Sequence, residues 1–225
     1  TERTVLHLNP NYWRQNRPFV DEMVFFYMPE QVTRIEAIKS GAIDIVLAPD
    51  FSALTALEAN PKVLIAETPS ASVRVIDMHN YEGSPFADKN LRKAMQYAVD
   101  RDFVREAVQF GRGNNANDHP VGINDEYYWD EQPLTMQDIP RAKEYLALAG
   151  YPDGIDIDLN TSDLSQMLDV ALAFQQSVAP AGIRVNLINN DTTTYWEEYW
   201  MNPCCPFVSS NWGARPANAA LDVQL

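Results

Sequence analysis

The chain has 225 residues and a formal charge of −14, from 17 Lys and Arg against 31 Asp and Glu. So acidic a chain repels a phosphate backbone, which argues against nucleic-acid binding. With 46% hydrophobic and 21% charged residues, the composition is that of an ordinary globular protein, and it excludes a disordered or collagen-like chain.

The first ten residues, TERTVLHLNP, hold neither the basic stretch nor the apolar run of a signal peptide. The last six, ALDVQL, break off inside an apolar pattern, so a chain cut at both ends is expected. Residues 22–28 (EMVFFYM) are apolar and β-prone and predict a strand, far too short to cross a bilayer. Pro29 and Glu30 open a helix with Val32, Ile35 and Ile38 on one face, stopped by Gly41. Residues 43–47 read as a second strand, 51–59 as a short helix and 63–67 as a third strand. The alternation of strands and helices is that of an α/β layer.

Residues 72–80 (SVRVIDMHN) predict a strand with Val73, Val75 and Asp77 on one face and Arg74, Ile76 and Met78 on the other. Asp88 caps a helix with Leu91, Ala94, Met95, Ala98 and Val99 at helical spacing. Asp100 caps the next, with Phe103, Ala107 and Val108 inward and Gly111 as its stop. Residues 112–137 are rich in Asn, Asp, Gly and Pro, and no Lys or Arg occurs between Arg112 and Arg141. They are either a functional loop or a solvated surface crossing. Asp138, Pro140 and Gly150 bracket a further helix. Residues 155–161 and 183–189 alternate as half-buried strands. Between them Leu164, Met167, Leu168, Ala171, Leu172 and Phe174 predict a helix over 163–179, ended by Pro180 and Gly182. Asp191 and Thr192 begin an aromatic helix, TTYWEEYW, and PFVSSNWGARP runs from a short strand into a turn.

Few residues carry recognisable chemistry. Neither a P-loop nor a dinucleotide fingerprint is present, and the three histidines (His7, His79, His119) have no metal-ligand spacing. A nucleophile triad can be drawn from Ser209 or Ser210, His79 and an Asp, but no nucleophile elbow marks it. An enzyme is therefore not expected, and neither is a cofactor. Asp156 and Asp158 fall on the outward face of their strand. Cys204 and Cys205 are adjacent and could pair only through a strained ring, so two free, packed thiols are expected, with a redox or metal role as the other reading. After Lys143 there are ten acids but only Arg184 and Arg215 as cations. Arg184 reads as surface. Arg215 follows Trp212, and a flat apolar ring beside a forked donor has the composition of a recognition site. The other reading is a core Trp and an Arg paired to a nearby acid.

The order of motifs resembles the solute-binding proteins of ABC transporters, in the dipeptide/oligopeptide/nickel class (family 5). NPNYW with RPFVDEMVFFYMPEQVTRIEAIKSGAIDIV, then SPFADKNLRKAMQYAVDRDFVREAVQFGRG, then RAKEYLALAGYPDG are similar to that family's segments and stand in the family's order. The resemblance implies a periplasmic-binding-protein-like α/β fold of type II, two lobes joined by a hinge, of which this chain holds a part. Residues 1–71 would be the C-terminal portion of lobe I, 72–80 a hinge crossing, 81–206 lobe II, and 207–225 the return crossing into the ligand cleft.

It further implies an extracytoplasmic component of an importer, in the periplasm or lipid-anchored on the outer face of the cytoplasmic membrane. Such a protein, a monomer that does not itself span the membrane, would capture a small solute and deliver it to ABC permease subunits by closing its hinge. A sensory or chaperone module of the same fold is the alternative. Several peptide binders of the family carry Trp-x-x-Asp after the return crossing, and the acid holds the peptide's amino group. Here the pattern reads Trp212-Gly213-Ala214-Arg215, and a cation in that place suits an anionic group. The resemblance thus points to a peptide, opine-like or other anionic solute, contacted by Trp212, Gly213, Arg215, Asn211, Met78, His79, Asn80 and Trp200. Metal or haem ligands occur in the wider family, but no clustered His or Met set supports one here.

Overall fold

A computed structural model of the chain describes residues 3–68, 70–119 and 121–213. It divides into two compact units, one ending at Ile65 and one beginning at Ala66.

In the first unit, β1 (Arg3–His7) pairs antiparallel with β2 (Glu22–Phe26), Val5 opposite Val24. Helix α1 (Gln31–Ser40) ends at Gly41, whose φ of 76° supplies the left-handed turn that closes the last carbonyls. Ile35 packs with Leu54 and Leu57 of α2 (Phe51–Glu58). Val32 is exposed, so the inward face of α1 is narrower than its spacing predicts. Two predicted strands are corrected. Residues 43–47 and 63–67 form no ladder among the described residues. Ile45, Leu47 and Leu64 are exposed, while Val63 and Ile65 lie as extended chain against the α1–α2 cluster. A short apolar run becomes a strand only where another strand meets its backbone groups. Strand β1, which no sequence signal announced, has such a partner.

The second unit is built on a mixed sheet of order β3-β6-β4-β5: β3 (Val73–Met78), β6 (Phe207–Trp212), β4 (Ile155–Ser162) and β5 (Ile183–Asn190). The β4–β5 and β4–β6 pairs are parallel, and β3 runs antiparallel to β6. Parallel neighbours need a crossover, which helix α6 (Met167–Val178) supplies between β4 and β5. Their register, Ile155 opposite Ile183, is set where Gly154 meets Gly182. A Cβ on Gly154 would stand 2.2 Å from the Gly182 carbonyl oxygen, so only glycine allows this approach.

Helices α3 (Lys89–Ala98), α4 (Arg101–Gln109) and α5 (Ile139–Leu148) start at Asp88, Asp100 and Asp138, whose carboxylates accept from the first-turn amides as expected. Leu91, Ala94, Met95 and Ala98 join Leu146, Leu159, Phe174, Ile183 and Phe207 in the main core. Val99 has left the helix, Ala107 is exposed, and Phe110 rather than Gly111 takes the left-handed cap of α4. Positive φ at Ser165 and Gln166 delays α6 to Met167. This turns Val170 and Ala173 inward and leaves Leu164 and Leu172 exposed. Residues 112–119 and 121–137 contain neither helix nor strand, as predicted. Arg101 anchors this stretch, donating to both carboxylate oxygens of Asp118 at 2.7 Å and to the Thr135 carbonyl at 2.7 Å.

Candidate functional site

Phe207 points into the main core, whereas its neighbour Val208 joins a second cluster with Met167, Tyr195 and Cys205. Successive strand residues face opposite sides of a sheet, so β6 separates the two clusters. The antiparallel register sets Val73 opposite Trp212, Val75 opposite Ser210 and Asp77 opposite Val208. Asp77, Ser210 and Trp212 therefore share the Val208 face.

Asp77 is the centre of this face. The Ser210 hydroxyl donates to its Oδ2 at 2.6 Å, the Trp212 side chain donates a second hydrogen bond, and His79 stands close enough to act on its charge. Burial lifts the Asp77 carboxyl above its ordinary value. The two hydrogen bonds and His79 oppose that shift without cancelling it. Among the described residues, Asp77 forms no ion pair with Lys or Arg.

Aromatic rings flank the carboxylate. Asp191 caps a short helical turn, Thr192–Thr194, by accepting from the amides of Thr193 and Thr194. The turn widens into a π-helical one over Tyr195–Tyr199, a geometry frequent at functional sites. Trp196 meets Trp200 edge-on at 5.0 Å between ring centroids, and Trp200 lies 6.1 Å from Trp212. Tyr195 donates its hydroxyl to the Ser209 carbonyl. Burial and the charge of Asp77 both push the Tyr195 phenol up. The indole nitrogen of Trp200 is buried and has no hydrogen-bond partner among the described residues.

Of the residues the sequence singled out, the structure brings together Trp212, Trp200 and His79. Met78 turns to the opposite face and packs on the main core. Asn211 lies on that same face and donates to the Ser165 carbonyl at 2.7 Å, with its Oδ1 buried and without a hydrogen-bond partner among the described residues. Asn80 and Gly213 are exposed at the strand ends. Arg215 lies outside the described residues. The alternation of residues 72–80 predicts the face on which Asp77 lies, but not its place in the site. The signal was one acid inside the otherwise apolar positions Val73, Val75 and Asp77. The triad drawn from Ser209 or Ser210, His79 and an Asp takes a different form: Ser210 bonds Asp77 directly, and no hydrogen bond joins His79 to either serine among the described residues.

Elsewhere Arg184 pairs with Asp156 on the outer strand face, where the guanidinium holds that carboxyl below its usual range. Cys204 and Cys205 are free, the first exposed rather than packed and the second buried, with its thiol pushed up to about 12 mainly by that burial. No group of three or more His, Cys, Asp or Glu side chains converges as for a metal, and no helix is long and apolar enough to cross a membrane, both among the described residues.

A family model described as bacterial extracellular solute-binding proteins, family 5 Middle, matches residues 1–223. The chain is 34% identical over 148 residues to Heme-binding protein A of Haemophilus influenzae, covering 66% of this chain and 26% of that protein. It is 27% identical over 181 residues to the glutathione-binding protein GsiB of Pectobacterium atrosepticum, covering 80% and 35%. Among solved structures, the periplasmic binding protein DppA of Helicobacter pylori, in complex with the peptide STSA, superposes with a TM-score of 0.76 at 22% identity. That superposition covers 96% of this chain and 41% of DppA. The chain spans between a quarter and about a third of the length of the curated relatives it matches.

Proposed function

The chain belongs to the bacterial extracellular solute-binding proteins of family 5, and from that premise we propose that it forms part of the solute-capturing component of an ABC importer. In this reading the whole protein works in the periplasm or anchored by lipid to the outer face of the cytoplasmic membrane. It closes two lobes on a small solute and presents the closed form to permease subunits. A ligand drives such closure only through contacts it makes better in the closed state. The solute class is a peptide, an opine-like compound or another anionic molecule. Trp212, Trp200, His79, Asn80 and Gly213 would contact it, and Arg215 would meet its acidic group.

One observation carries the proposal. Two antiparallel strands, β3 and β6, set a half-buried carboxylate and the Trp212 indole on one face, the Trp200 ring lies 6.1 Å from Trp212, and the indole nitrogen of Trp200 has no hydrogen-bond partner among the described residues. Buried polar groups normally find a partner, and a bound solute would complete this set. Mass spectrometry of small molecules that co-purify with the full-length protein tests the reading. A retained peptide-like or anionic solute supports it, and a protein that retains none and captures none from a mixed peptide pool contradicts it.

A further inference from the structure

The centre of the candidate site is negative. Asp77 sits half-buried with hydrogen-bond donors around it but no Lys or Arg paired to it among the described residues. Hydrogen bonds from Ser210 and Trp212 hold the carboxylate in place without neutralising it. A desolvated, unpaired charge is costly, and an arriving counter-charge relieves that cost. The neighbouring surface has the same preference. Trp196 is 36% exposed and Trp200 and Trp212 are half-buried, and indole faces carry the negative end of a quadrupole that attracts organic cations. Ring and carboxylate thus favour one kind of occupant by two separate mechanisms.

We infer that Asp77, with the Trp200–Trp212 wall beside it, receives a positively charged organic group of the solute. This rests on the chain forming part of a solute-binding cleft, and it makes that solute one with a cationic group at the β3–β6 crossing in addition to any acidic group elsewhere. Asp77 supplies the charge, the indoles supply the flat apolar contact, and Ser210 fixes the rotamer of the carboxylate.

Benzylamine and benzyl alcohol differ at one end, ammonium against hydroxyl, and probe this site in the full-length protein. Titration of each at neutral pH is followed by the indole N–H NMR resonances of Trp200 and Trp212, assigned with Trp→Phe variants. Benzylamine is expected to shift both resonances saturably and to bind about tenfold more tightly than benzyl alcohol. Asp77→Asn is expected to abolish that preference, while Asp156→Asn, which removes a carboxylate from the outer strand face away from the site, retains it. Equal affinity for the two probes, a preference that survives Asp77→Asn, or no saturable shift with benzylamine overturns the inference. A full-length protein that holds no solute, while benzylamine still selects Asp77, would overturn the importer reading and leave the cation site standing.

Discussion

The hydroxyl of Ser210 donates to the Asp77 carboxylate at 2.6 Å across the β3–β6 ladder. The bond is diagonal: Ser210 stands opposite Val75, and Asp77 opposite Val208. It ties the two strands together at the face that also holds Trp212. Ser210→Ala removes a donor from a part-buried charged acceptor and is expected to cost about 1–2 kcal/mol in stability, measured by urea denaturation.

Burial raises the Asp77 carboxyl above its ordinary 3.8, so the folded state holds the proton more readily than the unfolded chain does. The contribution of such a group is fully present below the unfolded value and is lost as pH rises through the folded value. At neutral pH the ionised carboxylate is therefore a burden on the fold. Asp77→Asn should raise the melting temperature at pH 7, and the gain should disappear as pH falls below 3.8. A variant less stable than the parent at pH 7 would contradict this.

Phe207 is fully buried, with its ring 4.8 Å from Phe86 and 5.8 Å from Phe174. Phe207→Ala should cost about 3–5 kcal/mol, from lost burial and the cavity left behind. Its neighbour Val208 serves the other face, so Val208→Ala should instead disturb the Tyr195 cluster, read as a change in near-ultraviolet circular dichroism.

Arg101 holds the long irregular stretch by Asp118 at 2.7 Å and by the Thr135 carbonyl. Arg101→Ala should speed proteolytic cleavage within residues 112–137 by severalfold while leaving the sheet intact, since cleavage follows local opening. An unchanged cleavage rate would show that other contacts hold this stretch.

The two-stranded sheet of the first unit exposes Val5, Leu6, Met23, Phe25 and Phe26. Two strands alone are marginal in water, and an exposed apolar sheet invites association. A fragment of residues 1–70 is expected to be poorly soluble. A soluble, cooperatively melting fragment would contradict that.

Many helix limits were legible in the sequence because their causes are local, whereas the start of α6 at Met167, set by positive φ at Ser165 and Gln166, was not. Asp88, Asp100 and Asp138 cap at the expected places, and Gly41, Gly150 and Gly182 adopt positive φ at the ends. The strands predicted at 155–161, at 183–189 and within PFVSSNWGARP, seen at 155–162, 183–190 and 207–212, were also legible from alternation and turn residues. The runs at 43–47 and 63–67 misled because strand formation depends on a partner that composition does not reveal. The same limit applied to the site. Trp212 and His79 stood out by residue type and motif. Asp77 became central only through the cross-strand register that brings Ser210 and Trp212 to it. The π-helical turn beneath Trp196 and Trp200 had no sequence signal beyond its aromatic content.

The central claim, that the β3–β6 crossing presents a solute-contact face, is tested most directly by a crystal structure of the full-length protein with its co-purified solute. Solute atoms are expected against the rings of Trp200 and Trp212 and within hydrogen-bonding distance of Asp77. A solute bound without contact to any of these three residues would contradict it.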